Sequence, residues 1–199
     1  MPDLLTLKQV AASPYLLRWH LELPTGRTYV LRPIEATDQP GLCDFVSQFS
    51  DRTRRFFSID QTPAATAADW CAAIARYDKL RFLVAGTRHV VAIVEFSLDL
   101  PLGDVERFRA YRYPLHAGSD CRFGLCVVDE LQGQGLAKAL LQPVREIARC
   151  FGRTRIILWG GVMVENVRAH TYYHRAGFQT VGEFIKTDGV ASVDMILEP

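Results

Sequence analysis

The stretch with the clearest chemical potential is a glycine-rich turn between a β-rich run and a long amphipathic helix. The turn reads Gln132-Gly133-Gln134-Gly135-Leu136-Ala137-Lys138. A strand that passes through such a turn into a helix directs unpaired backbone amides and the positive end of the helix dipole at one point. Glycine lets an anion approach the backbone without meeting a Cβ atom. The turn therefore predicts a phosphate site, and a turn that only packs the helix on the strand is the alternative.

Two other phosphate-binding patterns do not fit this turn. A P-loop needs Lys followed by Ser or Thr after its second glycine, and this chain has Leu136-Ala137 there. The dinucleotide-binding pattern GxGxxG needs glycine at a position that Lys138 occupies. The turn indicates neither class of nucleotide site.

A second informative segment runs from Asn166 to Phe178 and has the pattern of a helix followed by a glycine. Helical spacing places Ala169, Tyr173 and Gly177 in one row, at i, i+4 and i+8. The small residue leaves space beside the Tyr173 ring. The row therefore predicts a passage for a narrow ligand.

The two segments together resemble the Gcn5-related N-acetyltransferase superfamily. Its acetyl-coenzyme A signature is Gln or Arg, two residues, Gly, one residue, then Gly or Ala, and Gln132, Gly135 and Ala137 meet it. Its later motif is met by Asn166, Ala169, Tyr173, Gly177 and Phe178. Both motifs are in order and correctly separated, and the resemblance extends over residues 31–197.

The resemblance implies a fold and a co-substrate. The expected fold is a single α/β domain over residues 1–199, with a mixed, mostly antiparallel sheet flanked by helices. A strand over residues 121–128 should splay from one over residues 154–159, which makes a V-shaped cleft for acetyl-coenzyme A. The residues expected to bind this co-substrate are Cys126, Val127, Val128, Gln132, Gly133, Gln134, Gly135, Leu136, Ala137, Lys138, Asn166, Ala169 and Tyr173.

Acetyl transfer to an amine sets three chemical tasks. A primary amine with a pKa near 10.4 must lose a proton, attack the thioester, form an oxyanion and expel a thiolate. The resemblance places the backbone donor for the oxyanion in residues 125–127. It makes Tyr173 the hydrogen-bond or proton donor to the departing sulfur. The alternative for Tyr173 is a packed core tyrosine.

The general base is expected to be Glu95, which interrupts an otherwise apolar strand. A carboxylate in such surroundings tends to have a raised pKa, which suits a base. An outward-facing charge is the alternative, and Asp99, Glu106 and Asp120 are further candidates for the base.

A weaker resemblance, to bacterial protein lysine acetyltransferases, is carried by residues 31–34, Asp38 and residues 54–57. In that branch a Glu commonly precedes the Phe of the strand before the glycine turn. Here Arg122 precedes Phe123, which argues against acetylation of protein lysines.

Other reactive side chains predict no metal or disulfide. His170 and His174 stand four apart but lack the Glu of HExxH and an evident third ligand. Five cysteines, an odd number without CxxC spacing, indicate a reduced, cytoplasmic protein. Cys126 is expected to pack as a small apolar residue. The arginines at 52, 54 and 55 are expected on a solvated helix end, with phosphate binding as the alternative.

Apolar periodicity predicts the elements that position these residues. It indicates an N-terminal hairpin over residues 16–33, a helix capped by Asp38, a helix over residues 65–76 and a hairpin over residues 80–98. A helix follows Gly133, and a hairpin of residues 178–185 and 191–197 closes the chain. Residues 101–119 lack a clear period and predict a long loop, either a wall of the acceptor site or a disordered insertion.

Composition limits the partners. The formal net charge is +1, and no apolar run suits a membrane span, so neither nucleic acid nor a membrane is an expected partner. The chain is expected to be a monomer or homodimer. Arginines and aromatic residues in 101–119 favour a small-molecule amine, such as an amino acid-like one with its own carboxylate. A protein lysine acetyltransferase and a non-catalytic acyl-coenzyme A sensor are the alternatives.

Overall fold

The computed structural model describes residues 4–76, 79–87 and 89–198. None of the helices in these ranges has the length and apolar composition needed to cross a membrane. The helices are α1 (Leu7–Ala12), α2 (Gln39–Ser47), α3 (Asp51–Phe56), α4 (Pro63–Arg76), α5 (Leu102–Ala110), α6 (Leu136–Cys150) and α7 (Val167–Arg175). The strands are β1 (Trp19–Glu22), β2 (Thr28–Pro33), β3 (Lys79–Ala85), β4 (Val90–Ser97), β5 (Asp120–Val127), β6 (Arg155–Leu158), β7 (Val162–Met163), β8 (Gln179–Ile185) and β9 (Ala191–Leu197).

The strands of the described residues form one nine-stranded sheet. Its order is β1-β2-β3-β4-β5-β6-β9-β7, and β8 also pairs with β9. Every pair is antiparallel except β5 with β6. The predicted fold class, an α/β fold with a mixed, mostly antiparallel sheet flanked by helices, is confirmed. The hairpins predicted over residues 16–33, 80–98 and 178–197 are present.

The sheet splits between β5 and β6, as predicted. The two strands pair from Asp120 opposite Arg155 to Phe123 opposite Leu158. The last bond between them runs from the Trp159 amide to the Phe123 carbonyl, at 2.8 Å. Beyond Phe123, β5 continues to pair with β4 alone, as far as Val127. The strands therefore diverge into a V whose one arm carries residues 124–127.

Helices cover both faces of the sheet, and strand alternation assigns each side chain to one of them. On the α6 face, the Phe123 ring contacts the rings of Tyr173 and Phe178, at 6.4 and 6.3 Å between centroids. On the α5 face, Phe108 packs with Ile157 and Ile196. The side of α6 that meets the sheet is a row of fully buried residues, Leu136, Leu140, Val144 and Ile147.

The prediction of a long loop over residues 101–119 is wrong for residues 102–110, which form α5. The sequence of this helix has no apolar period because Phe108 is its one fully buried apolar side chain. The helix is otherwise held by charged side chains. Arg107 donates from Nε to Asp194 at 2.8 Å and from Nη2 to Asp104 at 2.8 Å. The segment predicted as a loop is therefore, over residues 102–110, a helix fixed to β9.

Two further details differ from expectation. Asp38 precedes α2, but its carboxylate binds the Arg32 guanidinium, at 2.6 and 2.7 Å, and the Glu35 amide, so it does not cap α2. The short helix α3 was not predicted. Ser50 caps it by accepting from the Thr53 amide, and Asp51 lies in its first turn, where an acid suits the helix dipole.

Candidate functional site

A cleft of about 1220 Å³ passes through the sheet at the splay. From the α5 face it is lined by Gly124, Cys126 and Trp159, and from the α6 face by Phe123 and Tyr173. Its other walls come from α3, the glycine turn and the first turns of α6 and α7. One opening therefore joins the two faces of the sheet at the divergence of β5 and β6.

Backbone amides converge where the glycine turn meets the cleft. Gly133 and Gly135 have φ of +82° and +92°, and a Cβ atom on either would meet no atom within 4 Å. Ala139 is the first amide near the start of α6 that donates backward, to Gly135 at 3.1 Å. Among the described residues, the amides of residues 135–138 have no backbone acceptor. Unpaired donors at a helix N-terminus bind anions, so this turn fits a pyrophosphate.

Side chains hold the turn in shape. The Gln132 amide group donates to the Val127 carbonyl at 3.0 Å and to Asp129 Oδ1 at 2.9 Å, and its oxygen accepts from Arg168 at 2.7 Å. Asp129 also accepts from Thr53 Oγ1 at 2.5 Å. Gln132 thus stabilises the turn and also lines the cleft.

Asp129, Thr53 and Arg168 are site residues that the sequence motifs missed. Burial raises the pKa of Asp129, but hydrogen bonds from Thr53, Ser50 and Gln132 favour the carboxylate more, and the pKa falls below its ordinary value. The carboxylate therefore ties α3 to the turn in its charged form. Only Arg168 lies within a recognised sequence motif, so it alone could have been found from the local sequence.

The start of α7 forms the opposite wall. Asn166 caps this helix by accepting from the Ala169 amide at 3.2 Å, and both residues line the cleft. The Tyr172 hydroxyl donates to the Ala137 carbonyl at 2.8 Å and so joins α7 to α6. This bond fixes the width of the opening between the helices.

Tyr173 is buried and lines the cleft. Burial raises the pKa of its phenol well above the ordinary value, and the neighbouring Tyr172 and Cys126 raise it further. No hydrogen bond joins its hydroxyl to any residue within the described ranges. The phenol is therefore neutral and available as a donor.

Glu95 lies on the α5 face, opposite Gly124 in the pairing of β4 with β5. Arg81 donates from Nε to its Oε1 at 2.6 Å, and both side chains are about nine-tenths buried. The other oxygen, Oε2, lies 3.5 Å from the position of a Cβ atom on Gly124. Glu95 is therefore an ion-paired carboxylate with one oxygen directed at a residue of the cleft wall.

The other candidate bases are less well placed. Asp120 is fully buried in an ion pair with Arg155, at 2.6 Å, in the part of β5 that pairs with β6. Asp99 binds Arg122 at 2.8 Å, and Glu106 is exposed on α5. None of these carboxylates, Glu95 included, lines the cleft itself, but Glu95 Oε2 lies 3.5 Å from the Cβ position of Gly124, which does.

Comparison with known proteins identifies the family. A model described as the Acetyltransferase (GNAT) family matches residues 46–178, which is more than half of the chain. The chain belongs to this family. The family is one of acetyltransferases.

Individual proteins are similar to this chain in sequence or in fold. N-acetyltransferase 8 of Rattus norvegicus is 41% identical over 61 residues, which cover 31% of this chain and only 27% of the rat protein. The GNAT domain of S. lividans PAT has a TM-score of 0.72 and 23% identity over 94% of this chain and 99% of that one. Aminoglycoside acetyltransferase AAC(6')-Ib in complex with coenzyme A has a TM-score of 0.67 and 18% identity over 84% of this chain and 93% of that one.

The remaining reactive residues of this acetyltransferase have structural surroundings. Burial raises the pKa of the Cys126 thiol well above its ordinary value, so the thiol is protonated and packs as a small apolar group. His170 contacts the Met163 carbonyl through Nε2, at 3.2 Å. The described residues include no group of three or more side chains that could hold a metal ion.

The arginines of α3 have separate partners. Arg52 lies over the Phe56 ring at 5.2 Å, Arg54 donates to the Val46 carbonyl and Arg55 pairs with Glu165 at 2.9 Å. Arg52 alone of the three lines the main cleft. It is therefore the arginine of this group that can reach a bound phosphate.

Proposed function

We propose that this acetyltransferase moves the acetyl group of acetyl-coenzyme A to the primary amine of a small molecule by direct attack. The observation that carries the proposal is the opening through the sheet. It is lined by Tyr173 on the α6 face and by Gly124 on the α5 face, and the Glu95 carboxylate lies against Gly124, with Oε2 3.5 Å from the position of a Cβ atom there. Two groups that can move protons therefore stand on opposite sides of the position expected for the thioester.

Strand alternation supplies the donor for the oxyanion. The Phe123 carbonyl bonds toward β6, and backbone groups along a strand point to the same side at every second residue. The amides of Leu125 and Val127 therefore point into the splay, beyond the last bond to β6. A backbone amide there can stabilise the oxyanion that develops on the acetyl carbonyl.

The reaction balances with these groups. The amine nitrogen attacks the carbonyl carbon of the thioester, and Glu95 accepts a proton from the nitrogen, directly or through water. The C–S bond then breaks, and the Tyr173 phenol donates a hydrogen bond or a proton to the departing thiolate. The phosphate groups bind the amides at the start of α6, which orients the thioester.

A non-catalytic acyl-coenzyme A sensor is the second candidate. It is favoured by the Arg81 ion pair, which occupies one oxygen of Glu95, and by Arg122 at the position of the expected acid. Acetylation of a protein lysine is the third. Cytoplasmic location stays a prediction, supported by five free cysteines, and the monomeric or homodimeric state stays a prediction.

Thiol release in the presence of acetyl-coenzyme A tests the proposal. The acceptors to compare are free amino acids, polyamines, aminoglycosides and peptides that contain lysine. We expect a small-molecule amine to give the largest kcat/KM. Binding of coenzyme A without thiol release above background for any acceptor would support the sensor instead.

A further inference from the structure

A recess with glycine as its floor lies on the α5 face at the splay. We name it the Gly124 recess, and its walls are Glu95, Trp159, Arg122 and Cys126. Glu95 stands opposite Gly124, while Arg122 and Cys126 stand two residues before and after it on the same face. A Cβ atom on Gly124 would lie 3.5 Å from Glu95 Oε2 and 3.8 Å from Trp159 Cβ. The space that a side chain would fill is therefore bounded by a carboxylate and an indole.

The recess opens into the cleft. Gly124, Cys126 and Trp159 all line it. Because Arg81 holds Oε1 of Glu95, the carboxylate is fixed with Oε2 toward Gly124. An amine seated over Gly124 meets that oxygen on one side and the splay on the other. A primary amine fits this position, since a bulkier nitrogen would meet Trp159.

The neighbouring row of side chains contains two cations, of which Arg122 is paired with the carboxylates of Asp99 and Asp104. Lys79, Ser97 and Arg122 lie side by side on β3, β4 and β5, one step along the strands from the row of Arg81, Glu95 and Gly124. The Arg122 guanidinium lies 4.1 Å and the Lys79 ammonium 5.0 Å from the centre of the Trp159 ring. Two positive charges thus flank the indole that borders the recess.

The nitrogens of Arg122 are not all engaged in hydrogen bonds. Its Nε donates to the Asp99 carbonyl at 3.0 Å and its Nη2 to Asp99 Oδ1 at 2.8 Å. Nη2 also donates to Ser97 Oγ at 3.4 Å. Within the described ranges Nη1 forms no hydrogen bond, although it is ion-paired with Asp104 Oδ2 at 3.8 Å. A substrate anion above Trp159 can therefore accept from Nη1 without displacing Asp99.

We propose that the Gly124 recess selects an acceptor with a carboxylate next to its primary amine, that is, an α-amino acid or a close analogue. The amine lies over Gly124 with its proton toward Glu95, and the carboxylate lies toward Arg122 and Lys79. The two rows are about 7 Å apart along the strands, a separation that a zwitterion and two hydrogen bonds can span. Polyamines and aminoglycosides are disfavoured, because their extra positive charges would face Arg122 and Lys79.

This inference rests on the proposed acetyl transfer, and matched acceptors test it. The pairs are phenylalanine with phenethylamine and leucine with isoamylamine, which differ only in the carboxylate. For the unmodified enzyme we expect kcat/KM to be higher for each amino acid by about tenfold or more, as expected for hydrogen bonds between charged groups. Equal or faster transfer to the decarboxylated amines would overturn the inference.

Variants of Arg122 and Arg109 test which side chain causes the preference for an acceptor with a carboxylate. Arg122→Met should lower kcat/KM about tenfold more for the amino acids than for the decarboxylated amines, and Arg122→Lys should restore part of the preference. Arg109→Ala, which removes an exposed arginine of α5, is the control and should change neither. An equal loss for both members of a pair in Arg122→Met would contradict the assigned role, provided that coenzyme A binds both proteins alike.

Gly124→Ala tests the floor of the recess. The added methyl group meets its neighbours at ordinary van der Waals distances, and φ at this position suits any residue. We expect an increased KM for the amino acid and unchanged affinity for coenzyme A. If spermidine or an aminoglycoside is the best acceptor, the proposed function stands and this inference is wrong. If a lysine peptide is the best acceptor, acetyl transfer stands but both the small-molecule acceptor and this inference are wrong. If no amine supports thiol release, both are wrong.

Discussion

Tyr172 and Tyr173 are consecutive residues whose rings lie 5.0 Å apart at an angle of 56°, yet their hydroxyls have different surroundings. The Tyr172 hydroxyl donates to the Ala137 carbonyl at 2.8 Å. The Tyr173 hydroxyl has no hydrogen-bond partner in the part of the chain that the structure describes, and its ring lines the cleft. One phenol joins two helices, and the other is left for the substrate.

Removal of each hydroxyl should therefore have a different effect. Tyr173→Phe should lower kcat by about 10² or more, the range for loss of a proton donor, with unchanged stability and coenzyme A affinity. Tyr172→Phe should lower the free energy of unfolding by about 1 kcal/mol, since it removes one hydrogen bond, with a smaller loss of kcat. Steady-state thiol release and urea unfolding measure both. A kcat for Tyr173→Phe within threefold of the unmodified enzyme would contradict the role of Tyr173.

The glycine turn predicts a second outcome. Gly135→Glu should abolish coenzyme A binding in calorimetry, because it places a carboxylate among the amides that face the phosphates. Gly189→Glu is a matched control. Gly189 has φ of +83° and open space around a Cβ atom, as Gly135 has at +92°, but it lies in the turn between β8 and β9. Similar coenzyme A affinity in a folded Gly135→Glu protein would refute the assignment of the phosphate site.

Local patterns were enough to predict the cofactor half of the site. The turn at Gly133 and Gly135 and the row of Ala169 and Tyr173 are each set by residues within one or two helical turns. Their spacing in the sequence therefore fixes their spacing in the fold. The splay between β5 and β6 followed from the family that these motifs identify.

The acceptor half depends on contacts between residues that are distant in the sequence. Glu95 could be selected as an acid in an apolar strand, but its partner Arg81 and its neighbour Gly124 follow only from the register of three strands. Thr53 and Asp129 meet across 76 positions. The helix α5 depends on Asp194, which lies 87 positions after Arg107 in the sequence. No local period carries this information.

The ion pair that holds α5 gives a third prediction. Asp194 is fully buried, and burial raises its pKa despite the opposing hydrogen bond from Arg107. Arg107→Met leaves this carboxylate without its cation and should lower the free energy of unfolding by about 3 kcal/mol. Asp194→Asn in the same protein should restore part of the loss, since the amide carries no charge to desolvate. A double variant no more stable than Arg107→Met would show that the charge is not the cause.

The last prediction concerns pH and Asp129. Its pKa in the folded protein lies below the ordinary value of 3.8 because hydrogen bonds from Thr53, Ser50 and Gln132 outweigh burial. An acid whose pKa falls on folding contributes stability above its unfolded pKa and loses that contribution as pH falls through its folded pKa. Asp129→Asn places an NH₂ group against these donors, so it should lower stability by about 1 kcal/mol at pH 7.

The stability difference between the two proteins should then shrink below pH 4, as Asp129 of the unmodified protein becomes protonated. Urea unfolding at a series of pH values measures it, with Asp60→Asn, at an exposed position, as the control for loss of one negative charge. At pH 7 the Asp129→Asn protein should also bind coenzyme A less tightly than the unmodified protein and the Asp60→Asn control, because Asp129 positions the turn through Gln132. A constant difference from pH 7 to pH 3 would mean that the charge of Asp129 does not hold α3 to the turn.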